Sequence, residues 1–209
     1  MNLQKSLFQG QSIYLAGIDR ENDAEVASRW THQASYTRML SAEPLHPMPP
    51  SLIKKRYEEI EKEIDQKRNQ FYFTIHKKDS DEVENGRLLG FAHIYWIEWP
   101  NGVGGFRMGI GDPKDWRKGY GSEALDLTLR YCFDEINLFH LEACIPEYNL
   151  AARRLFEKAG FSEEIRQREY LERDGQRWDL LHLGLLSEEW ALRSRRNSST
   201  RTNHKGSKA

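Results

Sequence analysis

The apolar positions of this chain follow two periods: alternation over short runs, and recurrence every three or four residues over longer ones. These are the signatures of strands and helices. Ser12-Ile13-Tyr14-Leu15-Ala16 predicts a first strand after a loose N-terminal segment. Asn22 followed by Glu25 predicts the start of a helix carrying Val26, Trp30 and Ala34. The prolines around Pro44 to Pro50 break the chain, and Ser51 is suited to cap a long charged helix from Leu52 to about Arg68, with Ile53, Tyr57, Ile60 and Ile64 on its apolar side. Phe71 to Ile75 predicts a strand, and the polar stretch Lys77 to Gly86 a loop. Leu88 to Ile97 and Val103 to Ile110 predict a hairpin around Asn101-Gly102, a dipeptide that accepts positive φ. Helical spacing of Leu125, Leu129, Cys132, Phe133 and Ile136 follows, then a strand from His140 to Ile145 and a second helix. Phe161 to Leu171 and Arg177 to Leu186 predict a last antiparallel pair.

The most informative stretch is Trp116-Arg117-Lys118-Gly119-Tyr120-Gly121-Ser122-Glu123-Ala124-Leu125, which joins the strand ending at Gly111 to the next helix. Glycines at 119 and 121 let the backbone turn tightly and approach a ligand. The free N–H groups of a loop and first helical turn then face one point, where the helix dipole favours negative charge. A pyrophosphate fits that geometry; so does a plain helix-start turn.

Thirty residues beyond Gly119 comes a second segment, Asn149-Leu150-Ala151-Ala152-Arg153-Arg154-Leu155-Phe156-Glu157-Lys158-Ala159-Gly160-Phe161. Together the two segments resemble the GNAT superfamily of acetyl-coenzyme A-dependent N-acyltransferases, in the branch of ribosomal-protein alanine and polyamine acetyltransferases. The first is similar to the pyrophosphate loop, (Gln/Arg)-x-x-Gly-x-(Gly/Ala), and the second to the Asn…Ala-x-x-Leu-(Tyr/Phe)-x-x-x-Gly-Phe helix. The resemblance covers residues 12 to 186.

It implies an α/β (α+β) fold with a mixed central sheet, splayed at a β-bulge between the fourth and fifth strands and flanked by helices. The splayed strands are expected at Phe106 to Gly111 and His140 to Ile145. The resemblance further implies that acetyl-CoA is the co-substrate and that Met108, Gly109 and Ile110 pair with its pantetheine arm, one N–H near Ile110 polarising the thioester carbonyl. Arg117, Lys118, Gly119, Tyr120, Gly121 and Ser122 would hold the pyrophosphate, and Asn149 and Phe156, two helical turns apart, would border the arm. The long charged helix would form one wall of the acceptor site.

Two departures from the family pattern stand out. Phe156 replaces the tyrosine that protonates the leaving thiolate in many relatives; a thiolate with pKa near ~8.5 leaves tolerably without it, and Tyr148 or water can substitute. Trp116 stands at the usual Gln/Arg position, where backbone donors carry the function.

The acceptor must attack as a neutral amine, so a proton has to be removed. Glu98 between Trp96 and Trp99, Glu142 in a splayed strand, and His93 are the candidate bases, each with an ordinary structural alternative. Tyr95, Trp96 and Trp99 are packing residues or faces for a cationic acceptor. The implied reaction moves an acetyl group to a small-molecule or peptide amine (a protein N-terminus, a polyamine or another small amine) by direct attack in a ternary complex. A coenzyme A-binding module without activity is the alternative.

Composition narrows the class. The 209 residues, 38% hydrophobic and 11% aromatic, suit one domain with a real core. No apolar run suits a signal peptide or membrane helix, so a cytoplasmic protein without membrane contact is expected, as monomer or homodimer. Cys132 and Cys144 read as buried free thiols, and no metal-ligand spacing is present. Net charge is −1, but residues 191 to 209 hold six basic and no acidic residues, which leaves −7 on the rest. The acidic body would attract cationic amines. The domain is therefore read as 12–193, preceded by an extension over 1–11 and followed by a basic, disordered tail over 194–209. That tail is the only feature favouring nucleic acid, an unlikely partner for a body with no readout motif.

Overall fold

The computed structural model describes residues 7–41, 43–78 and 86–193. The basic tail and most of the loop after Lys77 lie outside them. Seven strands form one mixed sheet in the order β1-β2-β3-β4-β5-β7-β6: β1 Ile13–Ala16, β2 Phe71–Lys77, β3 Leu88–Glu98, β4 Val103–Ile110, β5 His140–Pro146, β6 Ser162–Arg173 and β7 Gln176–Leu186. Every pairing is antiparallel except β4 with β5. The expected mixed sheet flanked by helices is present.

Helices α1 (Arg20–Thr31), α2 (Ala34–Leu40) and α3 (Pro50–Lys67) cover one face, and α4 (Tyr120–Arg130) and α5 (Leu150–Ala159) the other. The larger core lies under α4 and α5, where Phe106, Leu125, Leu129, Leu141 and Leu183 are almost fully buried. A second cluster, including Trp30, Tyr36, Ile53 and Tyr57, packs α1 to α3 on the opposite face. Both faces of the central strands are thus apolar enough to be covered, which places any reactive cleft at a strand end or a gap between strands.

Such a gap exists. The parallel ladder of β4 and β5 holds only at Val103↔His140, Gly104↔Leu141 and Gly105↔Glu142, after which the strands part. The irregularity beside it lies on β3: two residues, Trp96 and Ile97, oppose one on β4, and Trp96 has φ +42°. An extra residue of this kind raises the local twist.

Several local readings need correction. Asp19, not Asn22, starts α1, its side chain accepting from the N–H groups of Glu21 and Asn22, so Ala34 falls past the helix end and begins α2. Ser51 does not cap α3; Pro49 is the cap and Pro50 the first helical residue, where a missing N–H is harmless. The N-terminal segment is attached from Phe8 onward: Leu15 donates to the Phe8 carbonyl, and the Phe8 ring packs against Phe73 and Tyr131. The helix after the loop ends in a wider turn over Tyr131–Glu135, and a further helical segment over 187–193 docks through Trp190, which stacks on Phe133 and donates to Asp134. Cys132 is buried, but Cys144 is exposed, because it sits on the face of β5 that the splay leaves open. No helix of the described residues is long and apolar enough to cross a membrane.

Candidate active site

The loop between β4 and α4 is fixed from three directions. Arg87 makes paired hydrogen bonds to the buried Asp115, at 2.8 and 2.9 Å, and this partner holds the Asp115 carboxyl below the usual carboxylate range. Lys118 approaches the same carboxylate at 3.4 Å. The Trp116 indole donates to the Ile110 carbonyl at 2.8 Å, tying the loop back to β4. That bond gives the unusual Trp116 a structural role.

Gly119 then turns with φ +91° and caps α4, a conformation that disfavours other residues. From Arg117 to Ser122, six consecutive backbone N–H groups have no hydrogen-bond partner among the described residues; protein bonding resumes with Glu123, which donates to the Gly119 carbonyl. The Glu123 carboxylate, in the first turn where an anion would bind, is turned away and accepts from the N–H groups of Gln11 and Ser12. The loop therefore fits a pyrophosphate, through backbone donors and with Arg117 as a cation that forms no ion pair among the described residues, while Lys118 is shared with Asp115.

The strand end continues this donor surface. Gly111 donates to the Leu89 carbonyl, so alternation turns the N–H groups of Met108 and Ile110 away from β3 and toward the gap, and Gly109 toward β3. Past Gly105 no ladder with β5 engages them. Unpaired donors at a cleft wall suit an extended amide-bearing ligand such as a pantetheine arm.

The implied arm-facing residues of α5 behave less simply. Asn149 caps α5 by accepting from the Ala152 N–H at 3.0 Å, and its amide nitrogen donates to the Met39 carbonyl at 3.0 Å. That leaves one side-chain N–H for a ligand. Phe156 is 4% exposed and packs on Phe106 and Phe161, with ring centroids at 5.9 and 5.0 Å. The Tyr148 hydroxyl donates to the Arg38 carbonyl at 2.8 Å, so this alternative proton donor is already committed.

Of the three candidate bases, the structure brings one to the gap. Glu98 opposes Val103 at the far end of β3, five residues from Met108 and so roughly 16 Å along the strand; it is exposed and accepts from Asn101. His93 is buried, with one ring nitrogen on Gln70 and the other accepting from Arg107. Burial, reinforced by Arg107, pushes its pKa down to about 3, far from the ordinary 6.5 that made it attractive. Glu142 stands where β4 and β5 separate, and Gly105 beside it carries no side chain, which lets the rings of Tyr95 and Trp96 lie close over β4.

Glu142 has two partners that sequence spacing did not single out. His182 Nδ1 lies 2.6 Å and Cys144 Sγ 3.3 Å from its Oε1. Pairing of β5 with β7 sets His182 opposite Cys144, and nothing local in the sequence signals it. The three donor atoms fall within 4.8 Å of one another, a set a zinc-type cation can accept. Yet burial and the Glu142 carboxylate push the Cys144 thiol up to about 12, which favours the protonated, hydrogen-bonded arrangement.

On the same face a cavity of about 230 Å³ opens between α1, α2, α3 and the sheet. Trp30, Tyr36, Tyr57, Tyr72 and Phe91 line it, with Arg56, Arg107 and Glu43 as its charged groups apart from His46. Burial holds the Tyr36, Tyr57 and Tyr72 hydroxyls well above their usual range, so they are neutral phenols. The long charged helix α3 forms one wall of this cavity through Ile53, Arg56, Tyr57 and Ile60, and α2 contributes Tyr36, Thr37 and Leu40.

The profile of the Acetyltransferase (GNAT) domain family matches residues 13–162, most of the chain. The chain belongs to the GNAT family. Among curated GNAT relatives, it is 32% identical over 99 residues to the uncharacterized N-acetyltransferase YnaD of Bacillus subtilis (strain 168), a match covering 47% of this chain and 52% of that protein. It is 29% identical over 119 residues to the uncharacterized N-acetyltransferase p20 of Bacillus licheniformis, covering 57% and 64%. These matches thus span about half to two thirds of the relatives' lengths.

The spermidine N-acetyltransferase of Vibrio cholerae in complex with CoA and spermine superposes with TM-score 0.70 at 18% identity, covering 87% of this chain and 99% of that one. A dodecameric structure of spermidine N-acetyltransferase from Vibrio cholerae gives 0.69 at 20%, covering 88% and 99%. At these identities the likeness shows the GNAT fold alone.

Proposed function

We propose that this protein transfers an acetyl group from acetyl-CoA to a primary amine by direct attack in a ternary complex. The observation that supports the reading most is the continuity of one donor surface: the six N–H groups of Arg117 to Ser122, unpartnered among the described residues, run on, through the Trp116–Ile110 tie, to the gap-facing N–H groups of Met108 and Ile110. Bound acetyl-CoA supplies the activated acyl thioester. The chain's own groups then hold its pyrophosphate, orient its arm along β4 and present a hydrogen-bond donor at Ile110.

Glu142 is the base we assign, accepting the ammonium proton of the acceptor directly or through water, with His182 positioning the carboxylate. Several charge-assisted hydrogen bonds at roughly 1.5–3 kcal/mol each suffice for micromolar cofactor affinity, about −8 kcal/mol. A coenzyme A-binding module without turnover is the second reading; the buried Phe156 and the committed Tyr148 hydroxyl favour it. A panel of amines with thiol release as readout separates the two. Release above the no-amine rate with at least one acceptor is expected; tight coenzyme A binding without any release would establish the second reading instead.

A further inference from the structure

The charged lining of the acceptor cavity runs against the charge of the chain as a whole. Arg56 projects into it from α3 and Arg107 from β4. Among the described residues neither guanidinium has an acidic group at ion-pair distance, whereas Arg20, Arg38, Arg87, Arg153 and Arg166 each form such a pair. Glu43 is the cavity's one acidic lining residue, so the two arginines leave an excess of positive charge.

Arg107 is also held in place. It donates through Nε and Nη2 to His93 Nδ1, at 3.3 and 3.2 Å, and its guanidinium carbon stands 5.5 Å from the centre of the Tyr95 ring. His93 in turn donates from Nε2 to Gln70 at 2.9 Å, and Gln70 donates to Glu63 of α3 at 3.2 Å. This chain of bonds orients the guanidinium without neutralising it, because its immediate partner is an uncharged imidazole. The cleft walls and the nearby Arg56 both disfavour the Arg107 charge. An anion placed against the remaining N–H groups would relieve that repulsion, and the planar fork of a guanidinium matches carboxylate and phosphate geometry.

We propose that Arg56 and Arg107 form an anion subsite in the acceptor cavity, so that the amine acetylated here carries a carboxylate or phosphate group. The inference rests on the acetyl-transfer reading above and deepens it. A polyamine would bring further positive charge to the two guanidiniums, whereas an amino-acid-like or phosphorylated amine would pair its anion there. By strand alternation Arg107 lies on the same face of β4 as Gly105, the residue opposite Glu142, so anion and amine would be held on one side of the sheet. The aromatic lining suits an apolar portion of the same molecule.

The test is calorimetric binding of acetylated products to the CoA-loaded protein, which does not depend on turnover. N-acetylphenylalanine is compared with its carboxamide, acetylated phosphoethanolamine with acetylated ethanolamine, and acetylated spermidine serves as the cationic arm. At least one anionic probe should bind ten-fold or more tighter than its neutral partner, and which pair shows the larger ratio distinguishes carboxylate from phosphate. The ratio should fall to within about three-fold in Arg56→Gln/Arg107→Gln, while CoA affinity stays at the wild-type value. Arg107→Lys, which keeps the charge but loses the fork, should show an intermediate ratio and serves if the double variant does not fold. Equal binding within each pair, tightest binding of the cationic arm, a ratio that survives in the variants, or no binding of any probe at millimolar concentration would each overturn the proposal. Failure of the underlying reading looks different: no thiol release with any amine.

Discussion

His182 Nδ1 lies 2.6 Å from Glu142 Oε1, a contact that ties β7 to β5 at the point where β5 leaves β4. A carboxylate can only accept in that bond, so the imidazole carries its proton on Nδ1 and leaves Nε2 buried and without a partner among the described residues. The pair sets the orientation of the only candidate base at the gap. Glu142→Gln should therefore lower kcat/KM about 100-fold or more and flatten its rise with pH. Glu98→Gln and His93→Gln should keep that rise. A pH profile of Glu142→Gln indistinguishable from wild type would remove Glu142 from the mechanism.

The loop invites a second measurement. A Cβ at 119 meets nothing within 4 Å, so substitution there acts only through the φ of +91°. At 121 a Cβ already touches Leu155 and Ile110, at 3.7 and 3.8 Å. Gly121→Val should crowd both neighbours and the backbone donors, weakening coenzyme A at least ten-fold, about 1.4 kcal/mol. Gly119→Asn, which tolerates the left-handed region, should bind better than Gly119→Val. Calorimetry that finds Gly121→Val unchanged, with the fold intact, would disprove the assignment of this loop.

How far these features were legible depends on how local their causes are. The glycine turn of the loop and the helical spacing of Leu125, Leu129 and Cys132 after it are written within a few residues of each other, and they fold as the pattern implies, whereas the capping role of Asn149 was not read from the sequence. The splay was legible only through the family resemblance. The choice among Glu98, Glu142 and His93 was not legible, because it turns on strand register: Glu98 falls opposite Val103, five residues along β4 from the gap-facing Met108 and so at a solvated strand end. His182 and Cys144, 38 residues apart, meet only through the pairing of β5 with β7. Arg56 and Arg107 share a cavity only once α3 is laid across the sheet. Cys144 misled because its neighbours in sequence, Ala143 and Ile145, are indeed buried.

Phe156 offers a third test. Its ring is buried against Phe106 and Phe161, so Phe156→Ala should cost roughly 3–5 kcal/mol of stability. Phe156→Tyr should leave coenzyme A affinity within a few-fold, since the present side chain supplies no proton. Chemical denaturation and calorimetry read the two effects separately. A stability loss below about 1 kcal/mol for the alanine variant would show that the ring is not part of the packed core.

The end of the domain can be located by truncation. Residues 194–209 contain almost no apolar side chains, so a chain ending at Arg193 should retain its Tm and its coenzyme A affinity. Ending it at Leu186 removes Trp190, which is 6% exposed and stacked on Phe133, and should cost roughly 3–5 kcal/mol. Thermal melts of the two truncations would show the boundary directly, and equal Tm values would place it before residue 187.

Acid should weaken this protein through His93 before it does so through its carboxylates. The folded-state pKa of His93 is about 3 against an ordinary 6.5, so the unfolded chain binds a proton that the folded protein refuses. Stability from this group is thus fully present above pH 6.5 and is lost as pH falls toward 3. Between pH 7 and pH 5 the loss amounts to about 2 kcal/mol, from about one and a half units at 1.36 kcal/mol each. Asp115 acts in a lower window, since Arg87 holds its pKa below the ordinary 3.8 and its contribution is lost only as pH falls beneath that value. Urea midpoints at pH 7 and pH 5 should therefore differ for the wild type and differ much less for His93→Gln, which keeps a neutral hydrogen-bonding side chain between Gln70 and Arg107. Equal acid sensitivity of the two proteins would show that His93 is protonated in the folded state, and with it that Arg107 is not held by an uncharged partner.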